Sequence, residues 1–276
     1  MRRSNQHCST SPKFIVKSIF NNHELIWRMI KQEIISRYRG SVFGLFWSFV
    51  NPLIMLLVYL FVFNIVLKTR FNENSETKAE FALVVFAGFT VFIFFSEIVN
   101  RSPSLILSNV NFVKKLVFPL EILTYIVTGT ALFQILINMV ILLIANLFIY
   151  KSLPWTLVFF PVILLVLVPF CLGLSWMLAS LGTFIRDIGH VVVVSTQILM
   201  FMTPIFYPVD AIPEGFRYYI KLNPLTLIVS EMRSIAIYGN LPNWYGLLIY
   251  GICGWLIAWI GFFWFQKTRN GFSNVL

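Results

Sequence analysis

Long stretches without a charged side chain constrain the fold of this chain more than any other sequence feature. Five runs without Asp, Glu, Lys or Arg cover residues 40–67, 122–150, 152–185, 188–209 and 234–266. Each run exceeds about 20 residues, the length that an α-helix needs to cross a bilayer. Hydrophobic residues make up 58% of the 276 residues and charged residues only 12%, so the chain is more apolar and less charged than a typical water-soluble domain. The sequence therefore predicts an all-α integral membrane protein.

A sixth span is predicted between Phe81 and Asn100, where an apolar run is long enough if Glu97 lies at the headgroup boundary. Arg186 and Asp187 divide a very long apolar region, and burying both at mid-bilayer would cost roughly 5 kcal/mol or more. We therefore expect them to form a tight polar turn. The prediction is six transmembrane helices, at about 43–67, 81–100, 122–150, 155–185, 188–209 and 243–266.

The distribution of Lys and Arg among the connecting segments predicts the orientation. With the N-terminus inside, the inner segments carry 14 of the 21 Lys and Arg residues and the outer segments carry 7. This bias follows the positive-inside rule, so we expect cytoplasmic tails at 1–23 and 267–276. The polar first tail lacks the apolar centre of a cleavable signal peptide, so we expect it to be retained. The net charge of +10 then belongs to the cytoplasmic membrane face, not to a nucleic-acid site.

A basic amphipathic segment, residues 24–39, directly precedes the first charge-free run. Its apolar residues recur at three- and four-residue spacing, with cations on the other side. The apolar residues are Leu25, Ile26, Met29, Ile30, Ile34, Ile35 and Tyr38, and the cations are Arg28, Lys31, Arg37 and Arg39. Glu24 with Arg28 and Glu33 with Arg37 are predicted ion pairs along the helix. The pattern indicates an interfacial helix with its apolar face in acyl chains and its cations at headgroups, although a simple anchor has the same pattern.

Two connections between spans contain short helices. In the inner connection, Ser102 and Pro103 suggest an N-cap and a first helical position, opening an amphipathic helix at about 104–115. That helix is either a solvated loop element or a lever against a cytoplasmic partner. The outer connection, residues 210–233, has helix starts at Pro213 and Pro224, neither leading to a helix long enough to span. These two helices could enter the membrane and return.

Aromatic side chains cluster in the first and fifth predicted spans. They include Phe43, Trp47 and Tyr59 in the first and Phe201, Phe206 and Tyr207 in the fifth. Aromatic faces stack on sugar rings and tolerate sliding, which suits a polymer moving through a pore. Rings in a membrane protein also face lipid or other helices, which is the alternative interpretation. Gly40 and Gly44 form a small-xxx-small pair, which permits a close helix approach at the mouth of the first span, within the chain or to a second copy.

Several kinds of chemistry are absent from the sequence. The phosphate-binding pattern G-x-x-x-x-G-K-[ST] does not occur, so ATP is not bound through that motif. The three histidines and three cysteines show neither metal-ligand spacing nor a disulfide framework. The polar residues of the spans are scattered rather than clustered at one depth, as catalysis would need. We therefore expect no catalytic residue, metal or cofactor in this chain, and an energy source outside it.

Four motifs carry a resemblance to a known family. They are RYRGSVFGLFWSFVNPL at 37–53, NFVKKLVFPLEIL at 111–123, FIRDIGHV at 184–191 and TPIFYPVDAIPEGFRYYIKLNPLT at 203–226. In this order they resemble the transmembrane subunits of polysaccharide ABC exporters of the ABC type-2 permease family. The similarity is greatest to the O-antigen export permeases. It extends from about Glu24 to the last span.

The resemblance implies a homodimeric permease of the bacterial inner membrane that exports polyprenyl-diphosphate-linked polysaccharide. Its implied partner is a separate cytoplasmic ATPase, present in two copies, which binds ATP and Mg. The resemblance also makes residues 24–39 an interface or gate helix and the segment 210–233 a pair of periplasmic re-entrant helices. It makes the 104–115 segment the coupling helix, with contacts expected from Ser104, Asn109, Asn111, Lys114 and Lys115.

Two sets of substrate contacts complete the expectation. The channel set is the six aromatic residues Phe43, Trp47, Tyr59, Phe201, Phe206 and Tyr207. The entry set is Arg28, Lys31, Arg37 and Arg39, which are placed to attract a lipid diphosphate by charge-assisted hydrogen bonds. A permease for teichoic acid, capsule or another lipid or small molecule is the alternative. A membrane-embedded lipid-processing enzyme is a remote alternative, since no polar catalytic cluster is present.

Overall fold

The described part of the chain consists of α-helices joined by turns and short 3₁₀ segments. The computed structural model describes residues 12–62, 78–113 and 118–275, and these ranges contain no β-strand. The helices are α1 Pro12–Asn21, α2 His23–Arg37, α3 Trp47–Tyr59, α4 Lys78–Arg101, α5 Val110–Val113, α6 Ile122–Tyr150, α7 Phe160–Phe184, α8 Ile188–Met202, α9 Glu214–Leu222, α10 Pro224–Arg233 and α11 Trp244–Val275.

Among the described residues, five helical segments are long and apolar enough to cross a membrane. They cover Gly44–Val62, Glu80–Ser104, Ile122–Tyr150, Trp155–Phe184 and Trp244–Phe272. Four of these segments overlap charge-free runs, because uncharged side chains are what a helix in hydrocarbon requires, and Glu80–Ser104 overlaps the span predicted at 81–100. Residues 63–67, the end of the first predicted span, lie outside the described ranges. The fold is that of a multi-span integral membrane protein.

The predicted fifth span, 188–209, contains a shorter helix than expected. α8 has 15 residues and ends at Met202, so it rises only about 22 Å, less than the roughly 30 Å hydrocarbon core. It ends because Pro204 disfavours helical backbone in the residue before it, and Thr203 is extended with ψ of 134°. The expected turn does separate α7 from α8, with Arg186 and Asp187 exposed. A sixth crossing stays a prediction.

The most extensive helix contact joins α7 and α11. At Gly173 and Gly261 the two backbones approach so closely that a Cβ on either glycine would collide with the backbone of the other helix. The hydroxyls of Ser180 and Thr268 lie 2.7 Å apart farther along the same contact. Small residues permit this approach, and dispersion contacts between closely packed helices stabilise it where no water is excluded.

α4 is the central helix of the bundle, with α6 and α10 as its main neighbours and α3, α7 and α8 also in contact. Arg233, at the end of α10, is 4% exposed. Its guanidinium donates to the carbonyl of Val84 at 3.0 Å and to that of Ile205 at 2.6 Å. The buried cation thereby connects α10 to α4 and to the segment that follows α8.

The two helices predicted in the outer connection are present as α9 and α10. Asn223 caps α10, since its Oδ1 accepts a hydrogen bond from the Leu225 backbone amide at 3.0 Å, and Pro224 follows as predicted. α10 buries its apolar side completely, whereas α9 leaves Phe216 and Tyr219 exposed. Whether this pair enters the membrane stays a prediction.

The turn between α2 and the first span contains Gly40 and Gly44. Their φ angles are 86° and 50°, and a Cβ on either would have no atom within 4 Å. The two glycines therefore form no close helix contact within the described part of this chain, and a contact with a second copy stays a prediction. These glycines instead supply left-handed backbone that only glycine adopts readily, which redirects the chain from α2 into α3.

The inner connection is less regular than the helix predicted at 104–115. It consists of two 3₁₀ turns, Ser102–Ser104 and Leu107–Asn109, followed by the single turn of α5. Lys114 and Lys115 lie outside the described residues.

Ser102 does not cap a helix as predicted. Its hydroxyl donates to the Ile98 carbonyl at 2.6 Å and lies 2.7 Å from the Ser175 hydroxyl of α7. The N-cap prediction is wrong because Ser102 is buried. Its hydroxyl is used for hydrogen bonds to α4 and α7 and not for the amides of a following helix.

Both predicted tails contain helix. α1 lies within 1–23, and its Ile15 is 1% exposed. α11 continues past Gln266 to Val275. There Arg269 donates to the buried carboxylate of Glu121 at 3.0 Å, which anchors the end of the helix.

Candidate substrate path and coupling site

α2 lies against α6 through part of its apolar side. Ile26 is buried, and Ile30 fills the hollow at Gly129, where a Cβ would collide with its side chain. Leu25 and Ile35 stay exposed, at 37% and 55%. The apolar face predicted to meet acyl chains is therefore shared between the protein and the exterior.

A network of charged side chains joins α2 to α4 and α6. Arg37 Nη2 lies 2.5 Å from Glu97 Oε1, and Arg101 forms an ion pair with Glu33. Arg101 also lies 3.6 Å from Glu97 and donates to Thr130 Oγ1 at 3.2 Å. Two acids and two arginines therefore alternate between the helices, so that each charge faces an opposite one.

This network replaces one of the two predicted helix pairs. Glu24 and Arg28 lie 3.9 Å apart, as expected. Glu33 and Arg37 instead turn to partners on α4, because α4 offers opposite charges in a less exposed setting than the surface of α2. Burial lowers the pKa of Arg37, but Glu97 more than offsets this, so the pKa is raised.

The four predicted entry cations divide into two sets. Arg28, Lys31 and Arg39 line one open groove of about 390 Å³ on the exposed side of α2, together with Ile35. No carboxylate lines this groove. Arg37 lies apart from it in the ion-pair network. The groove can bind an anion through three cationic side chains, which is the chemistry expected of a phosphate site.

A cavity of about 360 Å³ lies between α2 and the inner connection. Its lining includes Glu33 of α2, Arg101 of α4 and two predicted coupling residues, Ser104 and Asn109. The third described coupling residue, Asn111, is exposed. The structure therefore brings the predicted coupling segment next to the predicted interface helix, and the ion-pair network forms one wall between them.

The aromatic channel residues form two separate groups. Phe43 and Trp47 contact each other edge to face, with ring centroids 5.8 Å apart, and Phe43 is 62% exposed. Tyr59 lies at the other end of α3, about 18 Å farther along the helix. The structure therefore does not bring all six residues into one cluster.

The second group is connected through Phe89, a residue that the sequence does not single out. Phe89 of α4 lies 5.5 Å from the Tyr59 ring and 6.5 Å from the Phe206 ring, and Phe206 lies 6.4 Å from Phe201. The Tyr207 hydroxyl donates to the Phe201 carbonyl at 2.6 Å. A continuous row of rings thus extends from α3 across α4 to the segment after α8. Phe89 carried no sequence signal, since it is one of 29 phenylalanines.

α3 and α8 present large unpaired apolar surfaces. On α3 and the turn after it the exposed residues recur every four positions, and α8 repeats this at three- and four-residue spacing. These residues are Phe49, Leu53, Leu57 and Phe61, and Val191, Val194, Ile198 and Phe201. Both helices contact α4, so the two surfaces flank the same central helix.

No metal centre is formed by the described part of the chain. Three or more His, Cys, Asp or Glu side chains do not come together there. Cys171 is buried and Cys253 exposed, each without a disulfide partner.

Comparison with known proteins places the chain in a family. A family model described as ABC-2 type transporter matches residues 24–237. The O-antigen export system permease protein RfbA of Myxococcus xanthus is 26% identical over 94% of this chain and 98% of that protein. Two Klebsiella pneumoniae proteins of the same name are 29% and 26% identical, each over 92% of this chain and 95% of that protein. Because the family model covers most of its length, the chain belongs to the ABC-2 type transporter family of membrane proteins.

Proposed function

We propose that this chain is the permease subunit of an ATP-driven exporter that moves polyprenyl-diphosphate-linked polysaccharide, specifically O-antigen, across the bacterial inner membrane. The observation that carries the proposal is similarity along nearly the whole chain to permeases named for O-antigen export. The multi-span fold, the cationic groove on α2 and the row of aromatic rings are what such a substrate needs.

The proposed topology has six crossings with both termini in the cytoplasm. α8 and the segment after it form the fifth crossing, and α9 and α10 lie on the periplasmic side as a re-entrant pair. The excess of Lys and Arg in the inner segments supports this orientation. The burial of α10 against α4 supports the re-entrant assignment, because protein then covers much of the α10 backbone.

The functional unit is proposed to be a homodimer with the path between its two copies. α6 and α11 also expose apolar side chains, but the exposed surfaces of α3 and α8 flank α4 and are the ones assigned to this contact. Trp47 lies at the inner end of α3, and the row from Tyr59 through Phe89 to Phe206 begins at the other end of the same helix. Rings at both ends would let sugar units slide by stacking, without a fixed hydrogen-bonding pattern.

The α2 groove is the proposed entry site for the lipid diphosphate. Arg28, Lys31 and Arg39 would donate charge-assisted hydrogen bonds to the two phosphates, whose negative charges three cations match better than one. Arg37 is assigned to positioning α2 rather than to the substrate, since it is held by Glu97.

A separate cytoplasmic ATPase, in two copies, is the proposed energy source, and it holds the ATP and Mg that this chain does not bind. The inner connection with Ser104, Asn109 and Asn111 is its proposed docking point, together with Lys114 and Lys115. Movement of that segment would reach α2 through the shared cavity wall of Glu33 and Arg101. The ion-pair network would then transmit a push as a rigid shift of α2 against α6.

Complementation tests this proposal. Bacteria that lack their own O-antigen permease should regain surface O-antigen when they express this chain with its ATPase, as seen on lipopolysaccharide gels. The triple substitution of Arg28, Lys31 and Arg39 by Gln should lower surface O-antigen at least tenfold, because each cation near a phosphate contributes about 1 kcal/mol to binding. The matched control, Lys221→Gln on α9, should leave it unchanged.

Two outcomes would contradict the proposal. Absence of surface O-antigen while both proteins are present in the membrane would exclude the assigned glycan. Restoration of capsule instead, in cells without a capsule permease, would assign the chain to the capsule exporters.

A further inference from the structure

α1 precedes the family match and carries a pattern of its own. Its Phe14 and Ile15 face the protein, where Ile15 is 1% exposed and accepts a hydrogen bond at its carbonyl from the Tyr125 hydroxyl, 3.0 Å away. Lys13 and Lys17 lie on the opposite, exposed side, and the helix contains no acid. α1 is therefore a short basic helix attached to the bundle near the start of α6.

The apolar side of α1 is wider than its contact with the bundle. Val16, Ile19 and Phe20 are exposed, at 41%, 38% and 72%. These three lie between the buried side and the lysines around the helix. A helix with apolar sides below and cations above is suited to the boundary between acyl chains and headgroups.

An apolar groove of about 360 Å³ begins under this helix. Ile15 and Ile19 form its α1 side, and Leu132 of α6 and Trp255 of α11 lie opposite. Along α7 its lining extends from Pro161 to Leu172, which is about 16 Å at the rise of an α-helix. The groove therefore runs parallel to a spanning helix, in the direction that an acyl chain takes in a bilayer.

We propose that this groove binds one acyl chain of an anionic phospholipid of the inner leaflet, with its headgroup held by Lys13 and Lys17. All eleven residues that line the groove are apolar or aromatic, which fits hydrocarbon and excludes a polar ligand. The two lysines, with no acid on α1, select negative charge at the headgroup.

The occupant is a bilayer lipid rather than the polyprenyl tail of an exported substrate. The groove is formed by α1, α6, α7 and α11. The cationic groove lies on α2, and the aromatic row joins α3, α4 and the segment after α8. The apolar groove shares no lining residue with the cationic groove or with the aromatic row. Lipid binding in the apolar groove therefore does not depend on which glycan is exported.

Lipid retention tests the proposal. The full chain is reconstituted in nanodiscs of equal phosphatidylglycerol and phosphatidylcholine, released into detergent, and its retained lipids are counted by native mass spectrometry. We expect phosphatidylglycerol to be enriched at least fivefold. Reversing both lysines, K13E/K17E, should remove the enrichment, since each lysine contributes roughly fivefold. The control K221E on α9 should keep it.

A second variant tests the groove itself. Val168→Trp fills the groove and should abolish retention of both lipids, whereas Ile260→Trp on the exposed side of α11 should not. Equal retention of the two lipids by the unmodified chain would overturn the proposal. Displacement of phosphatidylglycerol by a tenfold smaller amount of polyprenyl phosphate would also overturn it, in favour of the substrate tail. If Val168→Trp fails to fold, the lysine reversal alone decides.

Discussion

Arg101 illustrates how single residues connect this molecule. One guanidinium reaches Glu33 of α2, Glu97 of its own helix and Thr130 of α6. The Arg101 and Glu33 side chains are 36% and 26% exposed, so water weakens their attraction, and one such pair contributes little. Four alternating charges in one network restrain the helices more than separate pairs would, because Glu97 and Arg101 each have two partners of opposite charge.

A double-mutant cycle tests whether this network joins α2 to α4. Glu33→Gln and Arg101→Gln should each lower the thermal stability of the purified protein, since each leaves a partner charge unpaired. The double variant should lose less than the two single effects combined, by about 0.5–1 kcal/mol. The control is Glu24→Gln with Arg28→Gln, whose side chains are 74% and 80% exposed, and it should show no coupling. Additive losses at Glu33 and Arg101 would show that the ion pair does not join the helices.

Phe89 gives a second residue-scale prediction. Replacing it with Leu keeps the apolar volume but removes the ring between Tyr59 and Phe206. We expect export of polysaccharide to slow several-fold, because sugar stacking needs an aromatic face. Phe148→Leu on α6, where the side chain is 80% exposed, is the control and should export normally. Normal export by Phe89→Leu at an equal amount of protein would show that this ring serves packing alone.

At the scale of elements, the sequence predicts the long helices well and the short ones poorly. The boundaries of α6 follow from charge alone, because Glu121 and Lys151 close its run. α7 ends close to Arg186 as predicted but begins only at Phe160, because a 3₁₀ turn occupies Trp155–Phe159. α1 is not predicted, because a ten-residue segment with two lysines has the composition of a polar tail. Its attachment depends on the burial of Ile15 against the bundle, which is a tertiary contact. The early end of α8 rests on the local effect of Pro204 on Thr203, which hydropathy does not register.

The close contact of α7 with α11 can be tested by adding one methyl group to it. Gly261→Ala should lower the stability of the protein by about 1–3 kcal/mol, because the added Cβ collides with the Gly173 carbonyl and forces the helices apart. Gly215→Ala on α9, where a Cβ meets no atom within 4 Å, should have no effect or stabilise by up to about 1 kcal/mol. Thermal unfolding of the two purified variants measures the difference. Equal melting temperatures would show that the helices can separate at no cost.

At the scale of the whole molecule, the sequence does not show which spans are central. α3, α4 and α8 are all apolar, yet α4 is largely buried while α3 and α8 expose most of their side chains. A bilayer accepts apolar residues on every side of a helix, so the pattern that marks an inner face in a soluble protein is lost. The arrangement follows instead from tertiary contacts such as those of Arg233, whose partners lie 149 and 28 residues away in the chain.

The exposed surface of α8 leads to the prediction for the assembled molecule. In a two-fold symmetric dimer, a residue near the axis faces its own copy, so a single cysteine there can form a disulfide with itself across the interface. With Cys8, Cys171 and Cys253 replaced by Ala, we expect Val194→Cys to give a cross-linked dimer under mild oxidation of native membranes. Ile260→Cys on α11, with a native exposure of 51% against 54% at Val194, should stay monomeric on the same gel. Stronger cross-linking through position 260 would place the dimer interface on α11, and the proposed path along α3 and α8 would then face lipid.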